Sequence, residues 1–174
     1  MEHMGMPFIV MPADIDEKSI RYDDPRELTR AIARAKADAL LPQISDEALL
    51  ITADTVVVCG GKIREKAATP EEAADFLREY GSFPLRTVSA VVVTNTLTRE
   101  QREGDDVATV WFRSIPEKAI AEMVSRTDIC SFAGAFAFQD PLQQSFIKRF
   151  NGEEESILGL PKALTLRLLK ELGA

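Results

Sequence analysis

The chain has 174 residues, enough to bury a sizeable core as one domain or as two small lobes. Its composition, 45% hydrophobic and 28% charged, is that of a globular protein and excludes a disordered or fibrous chain. The net charge of −7 argues against general electrostatic binding of nucleic acid, which needs a basic stripe, but leaves room for a small anion in a local positive pocket. The single histidine, His3, stands at the extreme N-terminus. A Ser-His-Asp or Cys-His site would have to recruit that terminal residue, and the clustered His and Cys of a zinc site are absent from the sequence. Carboxylates, lysines and arginines remain, and they suit metal-assisted phosphate chemistry better than acyl transfer. Cys59 and Cys130 lie far apart and read as small apolar residues, not as a disulfide. No signal peptide is recognisable and no apolar run could span a bilayer, so the cytoplasm is the expected compartment.

In chain order, Pro7 to Pro12 (PFIVMP) reads as a short strand and ADIDEKSIRYDD as an acidic loop. The clearest helix follows in DPRELTRAIARAKADALL. Asp24 stands at its cap, Pro25 in its first turn, and Glu27 completes a box-like pattern. DEALLITADTVVVC supplies a strand, and Gly60-Gly61 turns it into KIREK, its pairing partner. TPEEAADFLREY repeats the helix-start pattern with Thr69, Pro70 and Glu72. Leu85 to Asn95 forms the next strand. A polar turn through Gly104 leads to its partner, DDVATVWFRS. PEKAIAEMVSR is a third helix, FAGAFAFQD a small apolar segment, and QQSFIKRF an alternating strand. GLPKALTLRLLKEL closes the chain as an amphipathic helix with Leu164, Leu168 and Leu172 on one stripe. The alternation predicts an α/β fold with a mixed sheet.

Two residues stand out of place. Asp54 puts a charge inside the apolar run LLITADTVVVC, where an unpartnered carboxylate would cost several kcal/mol, about 2–7 for even a neutral polar group. Either the strand ends there or Asp54 opens into a site. Lys36 takes the missing place in the four-residue series Leu28, Ile32, Leu40, flanked by Ala31, Ala35 and Ala39. It either snorkels to water from the edge of the stripe or faces inward towards an anion.

Weaker candidates surround them. Glu17, with Asp14 and Asp16, is either a solvated charge run or the source of a second carboxylate sharing Mg²⁺ or Mn²⁺ with Asp54. Lys66, carried back by the Gly60-Gly61 hairpin, is either surface decoration or a neighbour of Asp54. Gln139 either reads a base edge or caps the Asp140-Pro141 turn. GGK at 60–62 lacks the spacing of a phosphate loop and reads as a turn. Trp111 and Phe112 read as core or as a contact between lobes.

ITADTVVVCGGKIREK, TPEEAADFL, FAGAFAFQD and ILGLPKAL, in that order from about Pro7 to the C-terminus, resemble the Maf-like proteins. These are nucleoside triphosphate pyrophosphatases named for septum-formation inhibition, and the sequence is most similar to plant-type eukaryotic members. The resemblance implies an inosine-triphosphatase-like fold, with a long mixed sheet and helices forming two lobes around a cleft. It also implies metal-assisted cleavage of dTTP, UTP or modified nucleotides to the monophosphate and pyrophosphate, as a house-cleaning activity. In this reading Asp54 is the proton acceptor and Glu17 the second acidic position, the two together holding Mg²⁺ or Mn²⁺. Lys36 and Lys66 meet the phosphates, Thr55 neighbours the acceptor as a specificity position, and Gln139 helps select the base. A nucleoside triphosphate is the expected partner, with no nucleic acid and no membrane. The oligomeric state is open, a homodimer included.

The chain departs from the family pattern at its start. The family's first strand and its Ser-x-Ser-x-x-Arg loop have no counterpart in MEHMGMPFIVMPADIDE, so residues 1–174 are expected to form one Maf-like domain lacking that strand and loop. Lys66-Ala67 stands where Lys-Pro is usual, and Phe132 where a lysine is common. The alternative to an active pyrophosphatase is an inactive nucleotide-binding or regulatory protein. A dimerisation module with exposed edges at Val91 to Val93 is a third reading.

Overall fold

A computed structural model describes residues 7–126 and 128–174. His3 lies outside the described residues. Five strands, β1 (Leu49–Cys59), β2 (Lys62–Arg64), β3 (Leu85–Asn95), β4 (Gln101–Phe112) and β5 (Ile147–Asn151), form one sheet in the order β2-β1-β3-β4-β5. The α/β class is as expected, and the five-strand sheet is antiparallel where a mixed one was expected: β1–β2 and β3–β4 are consecutive in the chain, whereas β1–β3 and β4–β5 are joined through helices. The helices are α1 (Pro25–Leu40), α2 (Pro70–Glu79), α3 (Glu117–Val124), α4 (Pro141–Gln144), α5 (Glu154–Ile157) and α6 (Lys162–Glu171). None among the described residues is long and apolar enough to cross a membrane.

The chain divides into two compact units. The first holds residues up to Asp54, Ser89–Asp106 and Leu160–Ala174. Its core forms on both faces of β3, because successive strand residues point to opposite sides. Val91 and Val93 pack on Leu164, Leu168 and Leu169 of α6, and Ala90 and Val92 pack on Ala33 and Ala37 of α1. Val91 to Val93 are therefore fully buried on a central strand and offer no edge for dimerisation. The buried alanines of α1 are Ala33 and Ala37, with Ala31, Ala35 and Ala39 only half-buried.

The second unit holds Thr55–Val88 and Val107–Gly159. Its core joins α2 and α3 through Phe76, Leu77, Tyr80, Ile120 and Met123. Tyr80 stacks on Phe112 with ring centroids 5.5 Å apart, and Phe136, Phe138 and Phe150 continue the aromatic run edge to face. Phe112 is core, as expected, whereas Trp111 lies under the Arg149 guanidinium at 3.8 Å. Cys59 is buried, Cys130 half-buried, and both are free thiols.

Three boundaries differ from the sequence reading. Pro7 to Pro12 forms no strand: Ile9 is 91% exposed, and the segment finds no ladder partner among the described residues. The turn between β3 and β4 lies before Gly104, at residues 96–98. Asn95 Oδ1 accepts from Leu97 N and Thr98 N at 3.0 Å each, so a side chain closes the turn early. Gly104 sits inside β4, where a Cβ would lie 2.6 Å from Leu164 Cδ1, so the glycine serves close packing of strand on helix. Finally, β5 begins at Ile147, because Asp140 caps a helical turn over Pro141–Gln144 first.

Candidate functional site

The first helix is set by its ends and its small face. Asp24 Oδ1 accepts from Arg26 N at 2.7 Å and Glu27 N at 3.3 Å, satisfying two otherwise orphaned amides, and Pro25 fits the first turn. Ala33 and Ala37 bring α1 close to the sheet, and Thr52 Oγ1 donates to Ala33 O at 2.8 Å, tying strand β1 to the helix backbone. One turn further along, Lys36 faces β1. Its Nζ donates to Asp54 Oδ1 at 2.9 Å and to Ala53 O at 3.3 Å. The same Nζ lies 2.9 Å from Glu17 Oε1. Glu17 is presented by a short 3-10 turn, Glu17–Ser19, pinned where Ser19 Oγ donates to Asp16 O at 2.7 Å.

This cluster accounts for Asp54 inside an apolar strand. Strand β1 runs straight through it because the charge has an opposite partner, so the strand has no reason to stop. The Lys36 side chain is only 19% exposed and that of Asp54 only 11%. Burial alone would lower the Lys36 ammonium's pKa. Hydrogen bonding and attraction from Glu17 and Asp54 more than offset it, and the pKa is raised above its ordinary value. Lys36 thus does not snorkel: it is an inward lysine held charged between two carboxylates.

Glu17 Oε1 and Asp54 Oδ1 converge on one point, and both are hard oxygen donors. Mg²⁺ and Mn²⁺ take one or two such carboxylates and draw their remaining ligands from water and substrate phosphates, so the donor set fits such an ion. No group of three or more His, Cys, Asp or Glu side chains gathers among the described residues, so the described residues alone would not complete a coordination shell.

Thr55, Lys66 and Gln139 belong to the second unit. Thr55 Oγ1 donates to Gly159 O at 3.2 Å. Lys66 is exposed, and its backbone forms an isolated antiparallel bridge with Ala133. That bridge begins a folded-back segment, 133–139. Gly134 N donates to Glu65 O at 2.8 Å, and the buried Tyr80 hydroxyl donates to Gly134 O. Gly134 and Ala135 both adopt left-handed backbone, at φ 62° and 53°. Gln139 is exposed and lines a cavity of about 420 Å³ with Phe132, Phe136, Phe138 and Arg126. It does not cap the following turn. Asp140 does so itself, accepting from Leu142 N and Gln143 N, and it pairs with Arg126.

Two residues that hold this segment escaped the sequence reading. Gln143 is fully buried, donating to Ala135 O at 2.9 Å and accepting from Ala137 N at 3.1 Å. Tyr80 is 1% exposed. A glutamine in a polar run carries no signal of burial. The tyrosine at the end of an amphipathic helix carried a weak one.

The Maf-like protein family matches residues 1–172. The chain belongs to the Maf-like family. A 7-methyl-GTP pyrophosphatase from Dictyostelium discoideum is 39% identical over 177 residues, covering 98% of this chain and 89% of that relative. A dTTP/UTP pyrophosphatase from Pelotomaculum thermopropionicum is 32% identical, covering 99% of this chain and 90% of its own length. A nucleoside triphosphate pyrophosphatase from Synechococcus is 31% identical, covering 99% and 87%. In this Maf-like protein the Asp54, Lys36 and Glu17 cluster is one connected charge system on β1, α1 and the preceding turn.

Proposed function

We propose that this Maf-like protein hydrolyses a nucleoside triphosphate to the monophosphate and pyrophosphate, with Asp54, Glu17 and Lys36 at the reaction centre. The observation that carries this reading is the largely buried ammonium of Lys36 held between the Glu17 and Asp54 carboxylates, with Asp54 on a strand that otherwise carries no charge. Similarity to relatives named as pyrophosphatases supports the reaction class.

Asp54 positions a water and takes its proton as the water attacks phosphorus. Its fixed place in β1 favours this, because a general base must be held within hydrogen-bond reach of its proton. Lys36 places positive charge where it builds on the phosphate oxygens, and the family resemblance gives Lys66, in the second unit, a phosphate-binding role. Glu17 and Asp54 would hold Mg²⁺ or Mn²⁺. That ion, when bound, supplies Lewis-acid neutralisation of phosphate charge. Within the second unit, Gln139 and Thr55 carry the base-selecting and specificity roles that the family resemblance implies for them.

The substrate range follows the relatives' chemistry: 7-methyl-GTP, dTTP and UTP are the first candidates. The test is product analysis with 7-methyl-GTP, dTTP, UTP and GTP in the presence of Mg²⁺ or Mn²⁺. Equal amounts of monophosphate and pyrophosphate from at least one nucleotide are expected. Release of orthophosphate with a diphosphate, or turnover of none of the four, refutes the proposal.

A further inference from the structure

Lys36 occupies the point where the two carboxylates meet. Its three ammonium hydrogens have three acceptors: Glu17 Oε1 and Asp54 Oδ1 at 2.9 Å, and Ala53 O at 3.3 Å. The ammonium is therefore saturated by the protein, and one oxygen of each carboxylate faces it. In this arrangement Lys36 has no hydrogen left for a phosphate, and its charge stands where the two facing oxygens would otherwise meet a divalent ion. A divalent ion at about 2.1 Å from the same oxygens would fall within a few ångströms of the ammonium, where like charges repel strongly.

We infer that Lys36 is a placeholder cation. It fills the site between Glu17 and Asp54 in the ligand-free protein, excludes a divalent ion that arrives alone, and moves to a phosphate oxygen when the triphosphate enters. Metal and nucleotide then bind as a pair. The inference rests on the assignment of Glu17 and Asp54 as metal-holding residues.

The local structure permits the exchange. A lysine offers a compact charge on a flexible four-carbon stem, so its ammonium can move several ångströms without moving α1. Glu17 is 51% exposed on a three-residue turn, whereas Asp54 is 11% exposed within a strand. One carboxylate is free to swing and the other is fixed. Two carboxylates and one ammonium leave a single negative charge in excess, a weak attraction for a lone dication. A triphosphate brings acceptors for both cations.

The experiment is Mn²⁺ binding to the full chain without nucleotide, followed by the paramagnetic resonance signal of free Mn²⁺. Wild type, Lys36→Met, Lys36→Arg, Asp54→Asn and the double variant Lys36→Met with Asp54→Asn are compared. Removing the ammonium should tighten Mn²⁺ binding by about tenfold or more, and keeping the charge in Lys36→Arg should not. The double variant should bind as weakly as wild type. Equal affinities in wild type and Lys36→Met, with wild-type binding abolished by Asp54→Asn alone, would leave the metal assignment standing and overturn the placeholder. Tight binding by Lys36→Met that survives loss of Asp54 would overturn both. A measurement on wild type alone guards against a variant that does not fold. Mn²⁺ alone at millimolar concentration should leave its thermal midpoint unchanged, and a rise of several degrees would overturn the inference.

Discussion

Gly134→Ala is expected to be one of the most damaging single-methyl additions in the second unit. Gly134 adopts φ +62°, a left-handed conformation that costs any other L-residue roughly 1–2 kcal/mol. A Cβ there would also lie 2.6 Å from Tyr80 Oη and 2.8 Å from Val57 Cγ1. Neither neighbour can retreat: Tyr80 and Val57 are both buried, and the Tyr80 hydroxyl is engaged with Gly134 O itself. Overpacking of this kind adds roughly 1–3 kcal/mol, so the expected loss is about 2–5 kcal/mol. Gly61→Ala is the internal control. Gly61 is also left-handed, at φ +76°, but has nothing within 4 Å of the added Cβ, so it should lose only the backbone share of about 1–2 kcal/mol. Urea unfolding followed by fluorescence and circular dichroism gives both values. Losses within about 0.5 kcal/mol of each other would refute the claim that Tyr80 and Val57 clamp the segment leading to Gln139.

Two further outcomes follow from burial. Cys59 is buried and its thiol pKa is pushed up by burial and by Glu79, so a thiol reagent at pH 8 should label Cys130 first and Cys59 only on unfolding. Simultaneous labelling of both in the native protein would contradict the packing of β1. Burial also raises the Tyr80 phenol well above its ordinary value of 10.0. The folded protein favours the neutral phenol, so Tyr80's contribution is complete below about pH 10 and is lost as pH rises beyond it. An alkaline titration read at 295 nm should show one tyrosine ionising only with unfolding, and a Tyr80→Phe variant should lack that step. Two tyrosines ionising before any loss of structure would refute it.

Much of the fold could be read in the sequence because its signals were local. Asp24-Pro25 and Thr69-Pro70 announced α1 and α2, and Gly60-Gly61 announced the β1–β2 hairpin. Asp54 and Lys36 were visible as anomalies of pattern, and their mutual contact makes sense of both. That Glu17 completes the cluster came from the family resemblance, since an acidic loop residue carries no signal of where its carboxylate points. What stayed hidden depended on contacts distant in sequence. Gly104 looks like a turn residue until Leu164 is seen where its side chain would go. PFIVMP has the composition of a strand, but a strand also needs a ladder partner. Gln143 sits in a polar run and is nevertheless buried, because its amide answers two backbone groups of the segment that precedes it.

The proposed reaction depends on the Asp54 carboxylate. Its most direct test is pyrophosphate release by Asp54→Asn beside wild type, with saturating nucleotide and Mg²⁺ or Mn²⁺, and with urea unfolding on both proteins. A fall in kcat of about 10²-fold or more is expected in a variant that still unfolds cooperatively. A folded Asp54→Asn that turns over within about threefold of wild type would contradict it.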